Sequence, residues 1–307
     1  MTARHGVLVG PTASGKSALA LELARRDPAW ELVSVDSMQL YRGMDIGTAK
    51  PTPAELAEVP HHLIDVLDPW EDATVAWYQR VARDVFADLE RRGKRGLLVG
   101  GTGLYVQAVV DDLDIPGQFP DVRARLDADP DTAALYAQLR SLDPVAAARI
   151  DPANRRRIVR ALEVTLGSGR PFSSFGPGVH AHPPTTFVQV GLHVEPEVLA
   201  GRIEARFRAQ MEAGLLAEVQ RLHEDPRGLS RTARQALGYK ELIDHLEDRL
   251  PLAEAIELAI TRTRRFARRQ RSWFNRDPRI RWLDATAPGA DLVDRVQAAL
   301  DGRGPDA

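Results

Sequence analysis

The stretch HGVLVGPTASGKSALALELARR, residues 5–26, decides the fold. HGVLV is a short apolar run with the character of a strand, and SGKSALALELARR has the spacing of a helix. Between them stands G-x-x-x-x-G-K-[ST], with Gly10, Gly15, Lys16 and Ser17 in its fixed places. Glycines there let backbone N–H groups turn inward around an anion, and the following helix presents its positive end to the same anion. Lys16 adds a mobile charge, and the Ser17 hydroxyl is placed to hold Mg²⁺. The loop therefore grips a phosphate or diphosphate. It does not say whether that phosphate belongs to a nucleoside triphosphate, or whether it is transferred or discarded.

The alternation continues outward. ELVSVD (31–36) reads as a second strand and RGLLVGG (95–101) as a third. ATVAWYQRVARDVFADLERRG (73–93) has helical spacing, with Val75, Tyr78, Val81, Ala82, Val85, Phe86 and Leu89 on one face. TGLYVQAVVDD opens another helix. Such α/β alternation predicts a parallel sheet covered by helices on both sides, with ligands at the carboxyl ends of its strands. From about Asp114 to Pro184 the pattern is helical, broken by Pro130, Pro144 and Pro152, and SFGPGVHAHPP reads as loop. A strand returns in TTFVQVGLHV (185–194). Helices follow over 197–223, 235–248 and 251–276, then a strand in RIRWLD and a last helix; the tail GRGPDA is expected to fray. The expected organisation is a P-loop NTPase-like core of residues 1–113 and 185–307 carrying a helical insertion, 114–184.

Composition narrows the classes. The 307 residues hold 41 basic and 43 acidic side chains, so global charge gives no sign of a nucleic-acid partner. There is no cysteine, which excludes disulfides and thiolate metal sites. The first strand starts too near Met1 for a signal peptide, and no apolar run approaches the ~20 residues of a membrane helix. A cytoplasmic protein without a membrane association is expected.

Several residues carry candidate chemistry. Asp36 ends the second strand at the active edge of the sheet, where it can serve as a magnesium ligand, a general base or a turn cap. Thr102, within GGTG (100–103), either donates to a phosphate or leaving group or caps the helix that follows. Arg262, Arg264, Arg265, Arg268, Arg269, Arg271 and Arg276 crowd one helix whose apolar stripe is Leu252, Ile256, Ile260, Phe266 and Trp273. With the second cluster, Arg155, Arg156, Arg157 and Arg160, they fit a polyanion contact; the alternative is a solvated face that pairs with acids elsewhere. His61-His62 and His180 with His182 lack a third ligand nearby in sequence, so PHHLID reads as a structured turn rather than a metal site. No N-K-x-D stands for a guanine pocket. A small-molecule kinase passing phosphate from ATP, and an RNA-binding protein with a vestigial loop, remain as alternatives.

Together GPTASGKS, SVDSMQLYRGMDIGTAKP, PHHLIDVLDP, LLVGGTGLY, RRRIVRALEV and QALGYKEL resemble the tRNA dimethylallyltransferase (tRNA isopentenyltransferase) family in order and spacing, over about residues 6–285. The resemblance implies transfer of a dimethylallyl group from dimethylallyl diphosphate to N6 of the adenosine just 3′ of the anticodon, with Mg²⁺ as the cofactor. The loop would then hold the donor through Gly10, Pro11, Thr12, Ala13, Ser14, Gly15, Lys16 and Ser17, and the diphosphate would leave. Asp36 would be the general base, with Lys16 and Thr102 beside the diphosphate. The anticodon stem-loop of tRNA would meet Asp36, Ser37, Met38, Gln39, Thr102, Arg123, Arg156, Arg157, Ile158, Val159, Arg160, Gln235, Ala236, Leu237, Gly238, Tyr239 and Lys240. Arg156 stands where some members carry Gln, Gln235 where some carry Arg, and Ser17 where others have Thr. The enzyme is expected to be a monomer.

Overall fold

The computed structural model describes residues 5–287, 289 and 291–302; most of the tail expected to fray lies outside them. In chain order the elements are β1 (Gly6–Val9), α1 (Lys16–Arg26), β2 (Trp30–Ser34), α2 (Pro53–Glu58), β3 (His61–His62), α3 (Val75–Arg91), β4 (Arg95–Gly100), α4 (Gly103–Val110), α5 (Pro120–Ala128), α6 (Thr132–Leu142), α7 (Pro144–Arg149), α8 (Arg155–Ser168), β5 (Val188–His193), α9 (Pro196–Glu212), α10 (Leu215–His223), α11 (Tyr239–Leu246), α12 (Leu252–Phe274), β6 (Arg281–Asp284) and α13 (Leu292–Leu300). They form two compact units, Met1–Asp111 with Pro184–Ala307, and Asp112–Pro183.

The first unit is built on a six-stranded sheet in the order β3-β2-β4-β1-β5-β6, every pair parallel. Val7, Leu8 and Val9 are wholly buried because β1 is central and covered on both faces. Side chains alternate across the sheet. Val7 and Val9 join Val33, Tyr78, Phe86, Tyr105 and Tyr239 on one face; Leu8 joins Leu21, Leu32, Leu97, Leu192 and Val296 on the other. Val9 lies opposite Gly100, and Ser34 opposite Val99. The loops after β2, β4 and β1 therefore emerge side by side at one edge, bringing Asp36, Gly101 and Gly10 together.

The strands and long helices follow the expected order, with several local differences, among them the short helix α2, which has no expected counterpart. His61 and His62 pair with Leu32 and Val33 as the edge strand β3 rather than forming a turn; two residues are too few for an alternation signal. The helix expected over 197–223 is broken at Gly214, which adopts a left-handed φ of 99° at the start of α10. Residues 233–235 form a separate 3₁₀ turn, so the expected helix at 235 begins only at Tyr239. The buried seam of α12 is Ala255, Ala259, Ile260, Thr263, Ala267, Gln270 and Phe274, whose small members let the helix lie close; Leu252, Ile256 and Trp273 are only partly buried beside it.

The second unit is α5 to α8 around Leu126, Leu135, Leu139, Ile158, Val159 and Leu162. Asp131, Asp143 and Asn154 each accept backbone N–H bonds at the start of the next helix, which restarts the chain after each proline break. Arg155 donates to the carbonyls of Leu126 and Asp129 where α5 ends.

On β2, next to the edge strand, Glu31 is buried between Arg92, at 2.6 and 2.8 Å, and His62, at 2.7 Å. The Arg92 guanidinium, helped by His62, holds its carboxyl down to about 2 against the opposing effect of burial. A depressed carboxylate stabilises the fold above its unfolded pKa and loses that contribution as pH falls through the folded one. Glu31→Gln is therefore expected to cost about 1–3 kcal/mol at pH 7 in urea unfolding. The gap from the unsubstituted chain should shrink as pH is lowered from 5 to 3.

Candidate active site

The three neighbouring loops border a cavity of about 310 Å³. Its lining includes Thr12, Lys16 and Ser17 from the loop after β1, Asp36 to Gln39 from that after β2, and Gly100 to Thr102 from β4. Helices α9 and α12 close it with Ile203, Arg206, Phe207, Gln210, Phe266, Arg269 and Gln270.

The phosphate loop is prepared for an anion. Helix α1 begins at Gly15, in the left-handed region at φ 91°, and no side chain caps it, so its first N–H groups stay open. Ser14 is buried and, among the described residues, its Oγ has no hydrogen-bond partner. Lys16 Nζ donates to Pro11 O at 3.0 Å. Burial, and then the charge of Arg206, brings the Lys16 ammonium down to about 8, while Asp36 opposes the shift. Arg206 donates to Thr12 Oγ1 at 2.5 Å, and burial lowers its pKa against the pull of Asp36. Gly10, Pro11 and Ala13 complete the turn, with Gly10 backing onto Leu192 of β5.

Asp36 Oδ1 accepts Met38 N–H at 2.9 Å, so the carboxylate is fixed by its own turn while lining the cavity. Thr102 precedes α4 but makes no capping bond; its Oγ1 instead accepts Ser37 N–H at 3.2 Å, which leaves its proton to donate. Gln39 is occupied structurally, accepting from Ser34 and donating to the carbonyls of Thr48 and Ala49.

The DIGTAK segment, residues 45–50, forms the facing wall. Buried Glu218 accepts the N–H groups of Asp45, Ile46 and Gly47 at 3.0, 2.9 and 3.2 Å, and the Tyr239 hydroxyl. Burial, and next the Glu218 carboxylate, raises the Tyr239 phenol far above its usual range and keeps it a donor. Gln210 donates to the carbonyls of Ile46 and Gly47. Position 47 must be glycine because a Cβ would stand 2.3 Å from the Tyr239 ring.

The other expected contact residues divide into surface and packing. Arg156, Arg157 and Gln235 are exposed, and Lys240 is half-buried. Leu237 lines the cavity. Ile158, Val159, Ala236 and Tyr239 are 0–2% exposed; the first two belong to the core of the second unit, whereas Ala236 and Tyr239, with Gln235, also line the cavity. Gly238 N–H is taken by Glu241. Arg123 pairs with Asp127, and Arg160 with Glu163 and Pro116 O. On α12, Arg262 and Arg264 pair with Glu241 and Glu204, whereas Arg265, Arg268, Arg269 and Arg276 are exposed. Arg206, Gln210, Glu218 and Gln270 escape motif reading. Their signal is a polar residue at helical spacing within an apolar stripe, as with Gln210, which continues the buried face of Leu199, Ile203 and Phe207.

A parallel sheet with this loop at its carboxyl edge defines a P-loop NTPase-like fold. The IPP transferase family model matches residues 39–277, and an isopentenyl transferase model matches residues 4–66. The tRNA dimethylallyltransferase of Kineococcus radiotolerans is 51% identical over 304 residues, 96% of this chain and 94% of that protein. That of Pseudarthrobacter chlorophenolicus is 50% identical over 294 residues, 94% and 95%. Among solved structures, the tRNA isopentenylpyrophosphate transferase of Bacillus halodurans matches with a TM-score of 0.72, 38% identity and 97% of each chain. A eukaryotic dimethylallyltransferase acting on tRNA matches with a TM-score of 0.81, 26% identity, and 98% of this chain against 80% of that one. The chain belongs to the IPP transferase family.

The lowered Lys16 pKa has a direct consequence for anion binding. The charged ammonium is present below about 8 and is lost above it. Affinity for an unreactive thiolodiphosphate analogue of dimethylallyl diphosphate, measured by calorimetry, should be level up to pH 7. It should then fall by up to about tenfold per unit above pH 8, the limit for one linked proton. Lys16→Met should bind more weakly and lose that dependence.

Proposed function

We propose that this chain transfers the dimethylallyl group of dimethylallyl diphosphate to N6 of the adenosine 3′-adjacent to the anticodon of tRNA and releases diphosphate. The observation that carries this reading is a single cavity lined by the half-buried cations Lys16 and Arg206 and the carboxylate of Asp36, beside the open N–H groups of α1. Curated relatives of about half-identical sequence bear the name of this activity.

The chemistry balances on these residues. The C1–O bond of the donor breaks and its electron pair leaves with the diphosphate. The N6–C1 bond forms, and N6 gives up a proton. Adenine N6 is a poor nucleophile because its lone pair is delocalised into the ring. Asp36 accepts the proton, and assistance of this kind contributes ~10²–10⁴-fold. Open N–H groups of α1, with Lys16 and Arg206, receive the charge that grows on the leaving group. The Thr102 proton is free to donate to the same oxygens. Ile203, Phe207 and Phe266 supply apolar wall for the five-carbon chain. The base leaves its stack to reach the cavity, as with other base-modifying enzymes.

Magnesium fits the loop. Ser17 is exposed and lines the cavity, and Ser14 Oγ is a buried oxygen without a partner among the described residues. Among the described residues no three carboxylates or imidazoles converge, so Ser17 would hold Mg²⁺ together with substrate oxygens and water. When bound, the ion would neutralise diphosphate charge. Exposed Arg156 and Arg157 on the insertion, and Arg265, Arg268 and Arg269 on α12, are the cations offered to the RNA backbone. We place the protein in the cytoplasm as a monomer; no described helix is long and apolar enough to cross a membrane.

Incubation with labelled dimethylallyl diphosphate, Mg²⁺ and unmodified tRNA should move label into the RNA. Incubation with γ-labelled ATP and candidate small-molecule acceptors should label nothing. The reverse pattern would replace this reading with a kinase, and RNA binding without either transfer would leave a binding protein. Asp36→Asn should lower kcat by about 10²–10⁴-fold with tRNA affinity unchanged within twofold. Unchanged turnover would remove Asp36 as the base.

A further inference from the structure

Gln270 lies on the buried seam of α12, between Ala267 and Phe274, and is 6% exposed. Its Oε1 accepts Thr12 N–H at 2.8 Å and its Nε2 donates to the Gly101 carbonyl at 2.9 Å. The orientation of the amide follows from these partners, since the N–H requires an oxygen and the carbonyl requires an NH₂. Residue 101 leaves room for the bridge by lacking a side chain: a Cβ there would stand 2.1 Å from Nε2. The tie runs further. Thr102 follows Gly101 and accepts Ser37 N–H, beside Asp36. At the other end Thr12 Oγ1 accepts from Arg206. One amide therefore links the diphosphate loop after β1 to the Thr102 turn after β4, and through it to the Asp36 loop after β2.

We propose that Gln270 is a positioning residue for the transfer, a brace that sets the separation between the departing diphosphate and the wall carrying Thr102 and Asp36. The proposal rests on the transfer reaction stated above. Gln270 supplies no charge and no proton to the reaction. Its contribution is distance: reacting groups must stand close and aligned, and a displacement of about 1 Å costs on the order of 10²-fold in rate. A side chain of this length must offer a donor and an acceptor at one end to satisfy both loops, which methionine and glutamate do not.

The test uses the full chain with tRNA, dimethylallyl diphosphate and Mg²⁺. Gln270→Met removes both bonds. Gln270→Glu keeps the acceptor for Thr12 and loses the donor to Gly101. Gly101→Ala keeps the glutamine but displaces it. Each should lower kcat by about 10–100-fold with tRNA affinity, by filter binding, within twofold of the unsubstituted chain. The double variant Gln270→Met with Gly101→Ala should be no slower than the slower single variant, because both break one bridge. Amide exchange at Thr12 should quicken in Gln270→Met. A folded Gln270→Met with kcat within twofold, multiplying losses in the double variant, or unchanged Thr12 protection would each overturn the brace. Should Gln270→Met fail to fold, Gly101→Ala carries the same expectation and the same refutation. Absence of transfer by the unsubstituted chain would instead overturn the proposed reaction, and Thr12 exchange would still judge the brace.

Discussion

Three cations, Lys16, Arg206 and Arg269, and one carboxylate, Asp36, line the cavity at the carboxyl edge of the sheet, and the rest of the site is organised around that imbalance. Lys16 bonds to a carbonyl and Arg206 to a hydroxyl, neither of which neutralises a cation. Burial works against both charges, as the lowered pKa of each records. A protein keeps such groups charged when a ligand supplies the missing anion. The uncapped start of α1 adds open N–H donors at the same place. Together these features describe a receptor for a compact polyanion with an acceptor carboxylate within the same cavity.

The walls around that receptor are held by side chains that do no chemistry. Glu218 gathers three consecutive N–H groups of the DIGTAK segment, Gln210 and Gln39 take four of its carbonyl bonds, and Lys50 reaches Tyr41 O, Asp45 and Asp65. These ties come from α10, α9, the Asp36 loop and the segment itself, so the wall is fixed from several directions. A loop tied in this way keeps its shape before substrate arrives, which is how orientation is built in advance.

Local chemistry made much of this readable. The phosphate loop needs its glycines, lysine and serine at fixed spacing, and a parallel strand announces itself by an unbroken apolar run. Asp36 and Thr102 were legible because they follow such strands directly. The site residues contributed by helices were not, since Arg206, Glu218 and Gln270 act across gaps of well over a hundred residues from the loops they hold. Charge counting also misled in part. Arg262 and Arg264 are neutralised by Glu241 and Glu204, partners that no local window reveals. Ile158 and Val159 sit within a motif of the family, yet burial assigns their side chains to packing. A family pattern marks positions that are kept together; it does not separate those that touch a ligand from those that hold the ones that do.

The most direct measurement of the central claim is a crystal structure of the chain with the thiolodiphosphate analogue of dimethylallyl diphosphate and Mg²⁺. The account predicts diphosphate oxygens on the open N–H groups of α1, on Lys16 and on Arg206, with the five-carbon chain directed toward Asp36. A diphosphate bound elsewhere, with this loop instead taking the phosphates of ATP and turning the γ-phosphate toward Asp36, would contradict it.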